Sequence, residues 1–126
     1  MEEPVGFMRE GNRAVYRPVG SLTFNEAVAL VRTAIAVACS TGDKDLLVDT
    51  TALTGFRSPD IFQRFLAAVK WAEQAKGRLH LAMVARAEMI HPHKFGVTVA
   101  RNRGLVSNIF PTESEARAWL DAKALS

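Results

Sequence analysis

One serine, two histidines and a few charged side chains carry most of the chemistry this chain could perform. Ser58 stands in Arg57-Ser58-Pro59-Asp60, and Arg86, Glu88, His91, His93 and Lys94 follow one another closely further on. Glu88, His91 and His93 are metal-ligand types. Pro92 nevertheless breaks the i, i+4 helical spacing that makes paired histidines a rigid site, and Cys39 stands at no ligand spacing, so no metal is expected. Ser58, Asp49 and either His91 or His93 are the types of a nucleophile, an orienting acid and a base. No Gly-x-Ser-x-Gly elbow presents Ser58, however, and Pro59 removes an amide that could serve an oxyanion. Neither a phosphate-binding Gly-x-x-x-x-Gly-Lys-[Ser/Thr] loop nor a Gly-x-Gly-x-x-Gly turn is present. No catalytic residue is assigned, and no cofactor is expected.

Ser58 has two readings, which stand side by side. As an N-cap with Pro59 at the first helical position it would contribute about 1 kcal/mol. As a modifiable hydroxyl it would place a phosphate at the positive end of a helix.

The elements that must position these groups are legible as an alternation. Val5 to Arg9 and Ala14 to Pro18 flank Glu10-Gly11-Asn12-Arg13 and predict a hairpin. Thr23 and Glu26 form a Thr-x-x-Glu capping box ahead of an apolar stripe from Phe24 to Ala38, and Gly42 supplies a left-handed stop. Leu46-Leu47-Val48 suits a strand covered on both faces. A second helix is predicted from Ser58, burying Ile61, Phe65, Ala68, Val69 and Ala72 and ending at Gly77. Leu79 to Ala85 reads as a strand. A third helix is predicted from Pro92, with Phe95 and Val99 inward and Gly104 closing it. Leu105 to Phe110 reads as the last strand, and Thr112 with Glu115 opens a final helix carrying Ala116, Trp119 and Leu120. The order predicts a single α/β domain over 1–126: a hairpin at about 5–18, then βα repeats at about 23–122 around a mainly parallel sheet with about four helices.

In such sheets ligands gather beyond the carboxyl ends of the strands. The segments Asp49 to Ser58, Ala85 to Lys94 and Phe110 to Thr112 are therefore expected to meet. They bring Thr50, Thr51, Thr54, Arg57 and Ser58 together with Arg86, Glu88, His91, His93 and Lys94 as a candidate ligand or partner surface.

Composition bounds the function classes. The 126 residues are 48% hydrophobic and 23% charged, as in ordinary globular domains. The single cysteine excludes an internal disulfide, and Arg32 interrupts the longest apolar run, so no stable membrane insertion is expected. Met1-Glu2-Glu3-Pro4 lacks the order of a signal peptide, which suggests a cytoplasmic location. The net charge of +3 resides between Arg86 and Arg103, where four basic residues face Glu88 alone. Such a patch can attract anions, or it can be a solvated helix face. Without aromatic residues interleaved among the cations, nucleic acid is not an expected partner.

The hairpin, the helix from Thr23, the strand Leu46-Leu47-Val48-Asp49-Thr50-Thr51 and the helix after Ser58 resemble the STAS domain fold (sulfate transporter and anti-sigma factor antagonist). Lys94-Phe95-Gly96, Asn102-Arg103-Gly104 and Trp119-Leu120 are similar to segments of standalone members with this fold. In the antagonists of that family a serine at a helix start is phosphorylated by the partner kinase, releasing the complex. Ser58 occupies that hydroxyl position, with Arg57 in place of the usual acid and Pro59-Asp60 in place of Ser-Gly. The resemblance implies a noncatalytic regulatory or protein-interaction module, with an unidentified protein partner or a homodimeric state, switched by phosphorylation at Ser58. The alternative is a small-molecule or lipid-binding domain, with Phe56, Phe62, Phe95 and Phe110 bordering a pocket capped by Arg86 or Lys94.

Overall fold

A computed structural model describes residues 2–124. Strands β1 (Phe7–Glu10) and β2 (Arg13–Tyr16) pair antiparallel through a turn at Gly11-Asn12, where Gly11 takes a φ of +63° that suits glycine. The short β3 (Gly20–Ser21) leads into α1 (Phe24–Ser40), β4 (Asp45–Asp49), the short β5 (Leu53–Thr54) and α2 (Ile61–Ala75). Then come β6 (His80–Val84), a 3-10 turn at Ala87–Met89, α3 (Phe95–Asn102), β7 (Val106–Phe110) and α4 (Glu113–Ala124).

The main sheet runs β1-β2-β4-β6-β7, and every pairing beyond the hairpin is parallel. Strand order advances steadily in one direction because α1, α2 and α3 each cross over the same face. The expected α/β architecture is therefore the one observed. Alternation along the strands divides the core. Tyr16, Leu46, Val48 and Leu81 pack with α1, α2 and α3, whereas Val15, Leu47, Ala82 and Val84 pack with Ala116 and Leu120 of α4. Leu46, Leu47 and Val48 are wholly buried, each contributing roughly 1.5–3 kcal/mol of apolar transfer free energy. None of the helices among the described residues is long and apolar enough to cross a membrane.

Local chemistry sets the helix ends. Thr23 Oγ1 accepts from the Glu26 amide at 3.1 Å, and Glu26 Oε1 accepts from the Thr23 amide at 2.8 Å. At the other end Gly42 donates to the Cys39 carbonyl and Asp43 to the Ala38 carbonyl, satisfying two orphan acceptors. The Thr112 hydroxyl accepts from the Glu115 amide at the start of α4.

Four expectations require correction. The N-cap of α2 is Asp60, not Ser58. The Asp60 carboxylate accepts from the Gln63 amide at 2.8 Å, and the Gln63 side chain accepts from the Asp60 amide at 2.9 Å. That reciprocal box starts the helix two residues beyond Ser58, leaving Pro59 outside it. Second, the buried face of α2 is made of Ala67, Ala68, Ala72 and Ala75, with Val69 half-buried. Ile61 and Phe65 are exposed beside Phe62 and Leu66, because the small alanines are the residues turned towards the sheet and α1. Third, α3 opens at Phe95. His91-Pro92-His93 is a turn closed by the Lys94 amide on the His91 carbonyl, and Lys94 caps the helix in a left-handed conformation. Fourth, β3 and β5 form a second, two-stranded parallel sheet that the sequence reading lacked. Gly55, just beyond it, has a φ of +100°, and a Cβ there would stand 2.6 Å from the Leu22 carbonyl oxygen.

The cap assignment is directly testable. Asp60→Ala should lower unfolding free energy by about 1 kcal/mol in urea titrations and raise amide exchange in the first turn of α2. Ser58→Ala should leave exchange in that turn unchanged.

Candidate functional site

The parallel strands bring the three loops after β4, β6 and β7 together. The Thr50 amide and hydroxyl both donate to the Val84 carbonyl at 2.8 Å, and the Ala85 amide donates to Phe110 at 3.0 Å, carrying the pairing past the strand ends. Arg64 closes the rim from α2. Its Nε donates to the Pro59 carbonyl, Nη1 to the Met89 carbonyl and Nη2 to the Ser58 hydroxyl, each at 3.0 Å. One guanidinium thus ties the loop before α2 to the turn after β6, and Ser58 and the His91 segment share one end of the molecule.

Beneath this rim, between the sheet and α1–α3, lies a cavity of about 140 Å³. Its walls include Phe24, Val28, Leu53, Ala68, Trp71 and Leu81, with Met83, Val97 and Ile109 among further apolar neighbours. The Trp71 indole is fixed by donation to the Val28 carbonyl at 3.1 Å. Thr50, Arg64, Arg86, His91, Lys94, Ser107 and Asn108 provide the polar lining.

Three cationic residues border this space. Burial disfavours the charge on Arg64, whose hydrogen-bond acceptors among the described residues are all neutral. Lys94 Nζ donates to Asn108 Oδ1 at 2.9 Å and lies 4.8 Å from the centroid of the Phe110 ring, so its ammonium is turned to the α4 side of the edge strand. Arg86 Nε is buried 3.2 Å from Glu88 Oε1, off the line of a hydrogen bond, and has no hydrogen-bond partner among the described residues. Among the described residues no aspartate or glutamate lines the cavity.

The anticipated residues divide accordingly. Thr50, Arg86, His91 and Lys94 line the cavity, and Ser58 touches it through Arg64. Glu88 is exposed beside Arg86, and His93 is exposed with its amide donating to His91 Nδ1. Arg57 is exposed, and the Thr54 hydroxyl reaches the Gly20 carbonyl at 3.5 Å in the small sheet. Thr51 turns to Asp49, its hydroxyl and amide both donating to Asp49 Oδ1. Of the four phenylalanines expected at a pocket border, Phe56 alone lines the cavity. Phe62 faces solvent, Phe95 packs beside His91, and Phe110 packs on Trp119 across the sheet. Phe24 and Trp71 take their places. The basic segment is divided too: Arg86 and Lys94 reach the cavity, Arg103 lies over the Phe65 ring, and Arg101 is exposed in the last turn of α3.

Asp49 does not join Ser58 and the histidines. It follows Leu47 by two residues and so shares the α4 face, where it meets Glu113. Arg17 grips Glu113 with two hydrogen bonds at 2.9 Å, and Arg117 adds one at 2.8 Å. Arg17, chiefly, holds the Glu113 carboxyl down at about 2, while burial and then the adjoining Glu113 push that of Asp49 above its usual 3.8. Nothing local in the sequence joins Arg17 to Glu113.

These shifts act with opposite signs. Glu113 contributes stability that is present above its unfolded value of 4.5 and is lost as pH falls towards about 2. Asp49 favours folding when protonated, below about 3.8, and that contribution disappears as pH rises through its raised value. Glu113→Gln should therefore cost roughly 1 kcal/mol at neutral pH and flatten the acid loss of stability between pH 4.5 and 2, read by denaturant titrations across pH.

No protein family, curated protein or solved structure matches the chain, an α/β domain with a mostly parallel five-stranded sheet led by a hairpin.

Proposed function

We propose that this domain is a noncatalytic regulatory module of STAS-like fold that takes a small, largely apolar molecule into the space beneath α2. The observation carrying this reading is the cavity of about 140 Å³, walled by apolar side chains and edged by polar groups beyond the strand ends. An engineered apolar cavity of about 150 Å³ in another protein stays dry and admits benzene, so a ligand of six to eight heavy atoms is the matching scale.

Trp71 supplies the readout, in a Trp119→Phe background that removes the other indole. 1-Hexanol should change Trp71 emission saturably, and Ala68→Leu, which fills the space, should abolish the change while keeping cooperative unfolding. An absent response, or an equal response in the filled variant, contradicts the proposal.

A second reading, protein interaction, is favoured by the outer side of α2. There Phe62 is 62% exposed and Ile61 49%, beside the exposed Phe65 and Leu66. Exposed apolar clusters of this kind mark contact surfaces. Ser58 lies at the base of the same helix, and a phosphate on it would compete for the Arg64 guanidinium. Affinity capture and light scattering of Ser58→Asp should then show an altered set of bound proteins or altered self-association. Unchanged behaviour in both contradicts the switch.

A further inference from the structure

From the charges around the cavity we infer that its ligand is an apolar molecule ending in one anionic group, with that group seated between Arg64 and Arg86. This rests on the ligand-binding reading and names the chemical class it takes.

Three observations carry the inference. Cationic residues from α2, from the residue after β6 and from the N-cap of α3 border the same space; the guanidinium groups of Arg64 and Arg86 stay on this side, whereas the Lys94 ammonium reaches Asn108 and Phe110, and no carboxylate lines the space among the described residues. Three of the five Arg64 N–H groups donate to neutral acceptors, and no ion pair holds its charge among the described residues; Asp60 acts on it only as a nearby opposite charge, outweighed by burial. Arg86 keeps a buried Nε–H without a hydrogen-bond partner among the described residues, and Glu88 beside it is a largely exposed counter-ion. A cation held in a partly apolar enclosure pays a desolvation cost that an incoming anion offsets, whereas a neutral ligand leaves that cost in place. Guanidinium and ammonium donors recognise a carboxylate or a phosphate ester alike, through charge-assisted hydrogen bonds. The apolar walls beneath, from Trp71 to Leu81, would take the hydrocarbon end.

The test compares ligands of equal length and different head charge in the Trp119→Phe protein, following Trp71 emission. Hexanoate and hexyl phosphate are the anionic probes, 1-hexanol the neutral one and hexylammonium the cationic one. At least one anion should bind about tenfold or more tightly than hexanol, the scale of one charge-assisted hydrogen bond, and hexylammonium should bind more weakly than hexanol. Which anion binds more tightly identifies the head group. Arg86→Gln should reduce the advantage of the anion while leaving hexanol affinity unchanged, and Lys94→Asn, which removes the ammonium turned to Asn108 and Phe110, should preserve that advantage. Asparagine is chosen because it tolerates the left-handed backbone at Lys94, where φ is +48°. Hexanol binding as tightly as both anions overturns the inference and leaves the cavity reading standing. An anion preference unaffected by Arg86→Gln, or lost in Lys94→Asn, also overturns it. No response to any probe overturns both.

Discussion

Everything at the carboxyl end of this sheet depends on Arg64. A guanidinium can satisfy several acceptors in one plane, and here it reaches the loop before α2 and the turn after β6 at once. The helix it belongs to cannot then settle closer to the sheet without breaking those bonds. The underside of α2 is built of alanines, which fill little volume, so space remains beneath it. Arg64 ties the rim, and the alanines leave the space below it. The associated cost is a charge held partly out of water with neutral hydrogen-bond partners, which the anion proposed for the site would offset.

The two faces of the sheet solve different electrostatic problems. On the α4 face, Arg13, Arg17 and Arg117 are matched with Asp45, Asp121, Glu10 and Glu113, and the ion pairs are closed among themselves. On the α1–α3 face Arg64 bonds only neutral acceptors, and Arg86 meets an exposed Glu88 without a hydrogen bond. Opposite charges that pair within the fold contribute to holding α4 and the hairpin in place. Charges left over at a cavity are available to a ligand. The division follows from strand alternation, since Asp49 and Thr50 are neighbours in sequence and belong to opposite faces.

Much of the architecture was legible because it is local. The Thr23-Glu26 box, the stop at Gly42 and the run Leu46-Leu47-Val48 each carry their physical reason within a few residues. The segments that meet at the rim followed from parallel topology. What remained hidden depends on rotation or distance. Helix α2 has apolar residues on two sectors, and spacing alone does not tell which sector faces inward; the alanines do, at the expense of Ile61 and Phe65. Ser58-Pro59 and Asp60-x-x-Gln63 both resemble helix starts, and the two-sided box prevails. The two-residue strands β3 and β5 are too short to leave a periodic signal. Arg64 in sequence is one arginine within an amphipathic helix, and its role exists only once Pro59, Ser58 and Met89 surround it.

The most direct measurement of the central claim is the position of a bound six-carbon carboxylate by intermolecular nuclear Overhauser effects. Cross-peaks are expected from the terminal methyl of hexanoate to Ala68, Trp71 and Leu81, and from the methylene next to the carboxylate to the Arg86 side chain. Cross-peaks confined to Phe62 and Leu66, on the outer side of α2, would contradict it.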